Sequence, residues 1–287
     1  MPLEEPVYRP PAEAGSVIIQ VSRGCPHNRC LFCGMYKIVR YRVAGLDDVK
    51  AQIAEASAYE PDAMRAFLAD GDALALPNER LEQVMAMLKE AFPKMARVSV
   101  YANGSSILAK SEEELSRLKD LGLSILYVGL ESGDEELLRL VRKGETAAGM
   151  VEAARKAHSC GLKISAMALL GLGGRQLSAQ HVAGTIGAIN AMQPDLLSFL
   201  KLACFRQLPM YQGFNEQTEH GSMLELREIV AGLELGASVL RANHASVPFP
   251  IGGRLPKDKD KLLRELDRLL NSYMLDRNGP GPEPLAL

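Results

Sequence analysis

Hydrophobic and polar positions alternate along this chain in two rhythms that take turns. Short apolar runs at Ser16–Val21, which is β-branched, and at Met64–Ala69, Arg97–Tyr101, Ser124–Leu130, Lys163–Leu170 and Asp195–Leu202 read as six strands. Helical spacing fills the gaps between them. Helices are predicted over Leu46–Ala58, from Asn78 as cap to about Ala91, and from the Ser111/Glu114 capping box to Gly122. Others run from Asp134 through Val141, from Thr146 to Gly161, and over Ser178–Met192. Two more follow the strands, over Met223–Arg241 and Lys257–Leu275. The last places Leu262, Leu263, Leu266, Leu269 and Leu270 on one face. Strands alternating with helices demand a parallel sheet with helical crossovers. Ligands of such sheets sit beyond the carboxyl ends of the strands, and the Gly- and acid-bearing segments of this chain fall at those ends.

The remaining composition narrows the class. With 287 residues, 47% of them hydrophobic, the chain has enough apolar surface for one α/β barrel. Its 33 basic and 35 acidic residues leave a net charge of −2, without the basic surplus of a nucleic-acid binder. Apolar stretches such as Ile164–Leu172 are too short to span a bilayer. Met1-Pro-Leu-Glu-Glu-Pro has acids and prolines where a secretory signal needs a basic and then an apolar region. The expectation is a soluble cytoplasmic protein. Its expected parts are an irregular, surface-lying segment 1–14, a barrel over 15–205, a C-terminal helical extension 206–275 covering the barrel, and a flexible Gly/Pro-rich tail 276–287.

Candidate chemistry starts in the loop after the first strand, Ser22-Arg-Gly-Cys25-Pro-His-Asn-Arg-Cys30-Leu-Phe-Cys33-Gly-Met-Tyr36. Three clustered cysteines suit metal binding in a reducing compartment better than a disulfide framework. A structural zinc site closes its tetrahedron with four protein ligands. Three thiolates on a [4Fe–4S] cluster instead leave one iron for an outside ligand. Two readings stay open on the residues alone: the cluster, or a zinc-stabilised binding or scaffold protein that borrows His27 as fourth ligand.

The first strand, the cysteine loop and the strand-end motifs together resemble the radical S-adenosylmethionine (SAM) superfamily over roughly residues 15–205. They are most similar to its coproporphyrinogen oxidase, methylthiotransferase and Elongator-type branch. The spacing here is C-x4-C-x2-C rather than the usual C-x3-C-x2-C. The resemblance implies an α/β fold, a partial (β/α)6 TIM-like barrel. It implies a [4Fe–4S] cluster on Cys25, Cys30 and Cys33, with SAM chelating the open iron. An external one-electron donor of flavodoxin or ferredoxin type would reduce the cluster. SAM would then be cleaved to a 5′-deoxyadenosyl radical that abstracts hydrogen from an unidentified substrate. Phe32 and Tyr36 are implied SAM neighbours. Gly71 and Asp72 match the segment that holds the ammonium of SAM, and Asn103 the polar residue ending the third strand. Glu131 and Ser132 match the ribose-contacting segment. Arg142 and Lys143 share the place of an arginine that meets the methionyl carboxylate, and either could serve. Leu170 and Gly171 lie where backbone approaches the adenine. Cys204 and His244 are weaker substrate-wall candidates, while Cys160, His158 and His181 read as packing or surface residues. The resemblance leaves the substrate open and includes neither a membrane segment nor an evident nucleic-acid module.

Overall fold

The structure, a computed structural model, describes residues 7–204, 210 and 212–282. In chain order its elements are β1 (Val17–Gln20), β2 (Ser22–Arg23), β3 (Arg42–Val43), α1 (Leu46–Tyr59), β4 (Arg65–Ala69), α2 (Asn78–Ala91), β5 (Arg97–Ala102), α3 (Gly104–Ala109), α4 (Glu112–Asp120) and β6 (Leu123–Glu131). There follow α5 (Glu135–Leu140), α6 (Ala147–Ser159), β7 (Lys163–Leu170), α7 (Ser178–Met192), β8 (Leu196–Lys201), α8 (Glu219–Gly232), β9 (Ser238–Ala242), β10 (Ile251–Leu255) and α9 (Lys259–Leu270). The class is α/β, a mostly parallel eight-stranded sheet of the partial TIM-like barrel kind, as the alternation predicts.

The chain divides into two compact units. The first comprises Met1–Asn28, Met35–Val128 and Glu152–Ile164. In it β1, β4, β5 and β6 lie side by side and parallel. Phe67 and Tyr127 are buried and meet Tyr101 edge-on, at ring-centroid distances of 4.9 and 6.3 Å. The predicted capping box forms, with Ser111 accepting from the Glu114 amide and Glu114 returning to the Ser111 amide. The segment before β1 is not simply a surface coil. Pro11–Glu13 form a 3-10 turn, and the fully buried Glu13 accepts from the Tyr127 hydroxyl at 2.6 Å and from Arg97 at 2.8 Å. A carboxylate is stable there because each partner supplies a hydrogen bond that burial would otherwise remove. Residues 1–6 of that segment lie outside the described residues.

The second unit comprises Arg29–Gly34, Gly129–Val151 and Ser165–Leu287. Here β7, β8 and β9 are parallel and β10 returns antiparallel to β9. The predicted helix over Met223–Arg241 is corrected. Helix α8 begins at Glu219, capped by Thr218, and stops at Gly232, where a side chain would strike Ile186. Leu233 is already extended, and Ser238–Ala242 alternates buried and half-buried positions as a strand. The final helix is shorter than predicted, Lys259–Leu270, with Leu262, Leu266 and Leu270 buried. Asn78 is the first helical residue of α2 rather than its cap, a place taken by Pro77. The tail expected to be flexible is tied down as far as Pro280: its Asp276 and Gly279 carbonyls accept from the His220 and Glu219 amides, and that of Pro280 from Lys201. Residues 283–287 lie outside the described residues. Among the described residues no helix is long and apolar enough to cross a membrane.

Candidate functional site

The boundary between the units runs through the cysteine loop, so Cys25 belongs to the first and Cys30 and Cys33 to the second. All three thiols are half-buried, and none of the five cysteines forms a disulfide.

In the first unit the loop leaves β1 and turns beneath the end of β4. Gly71 is obligatory there. A Cβ at this position would lie 2.6 Å from the Cys25 Cα and 2.6 Å from the Gly24 carbonyl. Next to it, the fully buried Asp70 fixes the entry to the loop, accepting from Gln20 Nε2 at 3.0 Å and from the Gly24 amide at 3.2 Å. Burial raises its pKa, and those hydrogen bonds oppose the rise. Buried Tyr36 lies beside it, its hydroxyl pKa raised by burial and by the charge of Asp70. Asp70 was not a sequence candidate. Its only signal was a second aspartate beside Gly71 and Asp72, in a chain position where those two sufficed to explain a turn.

Asp72 and Asn103, singled out separately, do meet. Asn103 Nδ2 donates to Asp72 Oδ2 at 3.0 Å, and Ser106 Oγ donates to Oδ1 at 2.9 Å. Asn103 caps α3, a six-residue helix that the sequence reading missed, with Ser106 at its third position completing the box. The strand-end carboxylate is thus oriented by the helix that follows the next strand.

In the second unit, Cys30 and Cys33 pack against an apolar floor of Phe32, Leu137, Val141 and Leu172. The Cys30 thiol lies 3.9 Å from the Lys143 carbonyl, and the Leu31 amide bonds the Val141 carbonyl at 2.8 Å. Lys143 itself is buried and reaches Glu131, Nζ to Oε1 3.1 Å. Burial works against its charge, but Glu131 and then Cys30 outweigh burial and hold its pKa above the ordinary lysine value. Both ends of this pair stand on unusual backbone. Glu131 has φ 60° and Arg142, beside the lysine, φ 54°. Left-handed conformations in non-glycine residues cost about 1 kcal/mol each and concentrate at sites of function.

Ser132 is fully buried, and its hydroxyl accepts from the Asp134 amide at 3.1 Å and meets His181 Nδ1 at 2.8 Å. His181, expected to be a surface or satisfied packing residue, is fully buried, and burial lowers its pKa to about 4. It is the polar support of the Glu131–Ser132 turn. The sequence hid this role because 49 residues separate the partners. One residue on, the chain touches α7 directly: a Cβ on Gly133 would sit 2.0 Å from the Gly184 carbonyl. Thr185 Oγ1 accepts from the Gly133 amide at 3.2 Å.

Leu170 ends β7, and Gly171, the next residue, has φ 80°. Its amide donates to the buried Glu225 carboxylate at 2.6 Å, which also accepts from Ser178 at 2.6 Å. Leu170, Gly171, Lys201 and Cys204 share the lining of one narrow cavity with Gln217 and Pro280. His244 is drawn into a local turn, with Nδ1 accepting from the Ser246 amide at 3.1 Å.

Among the described residues, no three His, Cys, Asp or Glu side chains gather closely enough to hold one metal ion. Three half-buried thiols, none of them in a disulfide, are the kind of donor that a [4Fe–4S] cluster takes.

The family model of the radical SAM superfamily matches residues 19–184. Among solved structures, the chain is similar to methylornithine synthase (PylB), with 16% identity and a TM-score of 0.57, covering 77% of this chain and 63% of that one. It is similar to coproporphyrinogen III oxidase (HemN) from Escherichia coli, with 17% identity and a TM-score of 0.57, covering 75% and 51%. The radical SAM methyltransferase TsrM from Kitasatospora setae, solved with cobalamin and a [4Fe–4S] cluster, shows 22% identity and a TM-score of 0.55, covering 78% and 42%. At these identities the likeness is one of fold, and the chain spans less than two thirds of each of these proteins. No curated protein matches it.

Proposed function

Because the chain belongs to the radical SAM superfamily, whose enzymes use a [4Fe–4S] cluster and SAM, we propose that Cys25, Cys30 and Cys33 hold that cluster and leave one iron to SAM. The observation that carries the assignment is the set of three half-buried thiols, none in a disulfide, in the loop after the first strand of the matched segment. When bound, the cluster supplies the electron that cleaves the sulfonium of SAM to methionine and a 5′-deoxyadenosyl radical, which takes hydrogen from the substrate.

The roles of the chain's own residues follow from their surroundings. Asp72, oriented by Asn103 and Ser106, offers a carboxylate to the SAM ammonium. Glu131 takes the ribose hydroxyls with the oxygen that Lys143 leaves open, and Ser132 and His181 hold the turn that aims it. Since Lys143 is engaged by Glu131, Arg142 is the better partner for the methionyl carboxylate, and its planar fork suits that group. At Leu170 and Gly171 the backbone meets the adenine, the glycine without a side chain in the way, and Glu225 fixes the glycine amide. Phe32 and Tyr36 pack the flanks of the loop and exclude water, and Cys204 and His244 remain substrate-wall candidates. In this reading residues 15–205 carry the shared chemistry and 206–275 the specificity. A flavodoxin or ferredoxin supplies the electron that superfamily members take from an external donor.

Anaerobic reconstitution with iron and sulfide tests the assignment. The expected result is a brown protein whose electron paramagnetic resonance signal changes on adding SAM and which releases 5′-deoxyadenosine on reduction. A colourless protein that keeps only tightly bound zinc refutes it.

A further inference from the structure

The last two strands carry a cationic cavity whose lining includes none of the residues assigned above to the cluster or to SAM. It has a volume of about 580 Å³ and is lined by residues including Val239, Arg241, Gly252, Arg254 and Lys257. That volume is of small-ligand size.

Register shows which face of the sheet it occupies. Met167 pairs with Ser198, Ser198 with Arg241, and Arg241 with Gly252, so these four residues form one row across β7, β8, β9 and β10. Residues paired across neighbouring strands point to the same side. The opposite side is the covered one. Its Ala166, Ala168, Leu197, Phe199, Leu240 and Ala242 are buried, and a side chain at Gly253 would strike Leu262 of α9. The Arg241 row therefore lies on the face that α9 leaves bare, and its members Met167, Ser198 and Arg241 are half-buried. Opposite Arg241, Gly252 has no side chain, which leaves room over the guanidinium.

Charge is the second observation. Among the described residues no carboxylate pairs with the side chains of Arg241, Arg254 or Lys257. The one acid in the lining, Asp258, is spent on the backbone, accepting from the Arg254 amide at 2.8 Å. A half-buried arginine usually finds a carboxylate, because its fork of donors is costly to leave unmet. Three cations against one carboxylate leave the cavity with a surplus of positive charge, which suits an external anion, and a guanidinium fork matches phosphate or carboxylate oxygens.

We propose that the Arg241–Arg254 cavity binds the phosphate or carboxylate group of a small organic substrate, with Arg241 as its principal anchor and Lys257 at the rim. The claim that this anion is the substrate rests on the radical SAM reading, whereas the binding itself does not.

The test is anion titration of the reconstituted protein at constant ionic strength, followed through the arginine side-chain NMR signals. Inorganic phosphate and citrate serve as separate probes that distinguish the two chemistries. The expected result is saturable binding of at least one probe that moves the Arg241 signal. Arg241→Gln should weaken it about tenfold or more, because a bidentate, charge-assisted contact is lost. Arg241→Lys should fall between, and Arg254→Gln, on an exposed position that folding tolerates, should weaken it severalfold. Lys261→Gln, an exposed lysine of α9 outside the cavity, should leave it unchanged. Saturation by neither probe, or equal affinity in wild type, Arg241→Gln and Arg254→Gln, overturns the proposal. Loss of SAM-dependent signals with anion binding intact would instead overturn the cluster assignment alone.

Discussion

Replacing Lys143 by Met should destabilise the fold far more than loss of a surface charge would. The ammonium is 8% exposed and the partner carboxylate of Glu131 14%, at 3.1 Å. An exposed pair at that distance contributes up to about 1 kcal/mol. Here the lysine is fixed within the second unit, and its removal leaves Glu131 as a nearly dry carboxylate on a left-handed backbone. Breaking a buried pair from one side costs about 3–5 kcal/mol. Glu131→Gln should cost a comparable amount by stranding the ammonium. The double variant Glu131→Gln/Lys143→Met removes both charges and should recover about 2 kcal/mol or more of the summed loss. Urea unfolding of the four proteins without metal, at neutral pH, measures the cycle. A coupling below about 1 kcal/mol would show that water screens the pair and that Lys143 exerts no dry field on Cys30.

Four further outcomes follow from the surroundings of single residues. His181 is held neutral with a pKa of about 4, below the ordinary value near 6.5. The unfolded chain therefore binds a proton that the folded one refuses, and stability should fall as pH drops from about 6.5 to about 4, by about 3 kcal/mol in all. Denaturation midpoints across that range should lose this component of the slope in His181→Gln, and an unchanged slope would count against it. Gly71→Ala must push the Cys25 backbone aside, costing about 1–3 kcal/mol and lowering iron bound per chain on reconstitution. Gly187→Ala, with nothing within 4 Å, should gain about 1 kcal/mol and bind iron normally. Glu225→Ala should strand the Gly171 amide and cost about 1–3 kcal/mol, with weaker SAM binding by equilibrium dialysis.

The sequence was most legible where one local rule sufficed. Strands β1, β4, β5, β6, β7 and β8 announced themselves by short apolar runs, while the two-residue β2 and β3 did not, and Ser111 and Asp134 cap α4 and α5 as predicted. Legibility failed where two rules overlapped. Leu226, Ile229, Val230 and Leu233 set a helical rhythm that Leu240 happens to continue, so β9 was absorbed into the preceding helix. In β10, Gly252 and Gly253 dilute the strand signal, and only pairing with β9 reveals them. Site residues with a recognisable motif were found one by one, but their connections were not. That Asp72 binds Asn103, that Lys143 binds Glu131 and that His181 supports Ser132 are long-range facts set by packing, not by spacing.

The bare contact between Gly133 and Gly184 has a mechanical meaning. Side-chain layers absorb small displacements by rotamer changes, but two main chains in direct touch have no such cushion. A shift of helix α7 along its axis would be delivered almost undiminished to the turn bearing Glu131 and Ser132. Amide hydrogen exchange at Gly133 should accordingly keep pace with that of α7 rather than with the shorter helix that follows it in sequence.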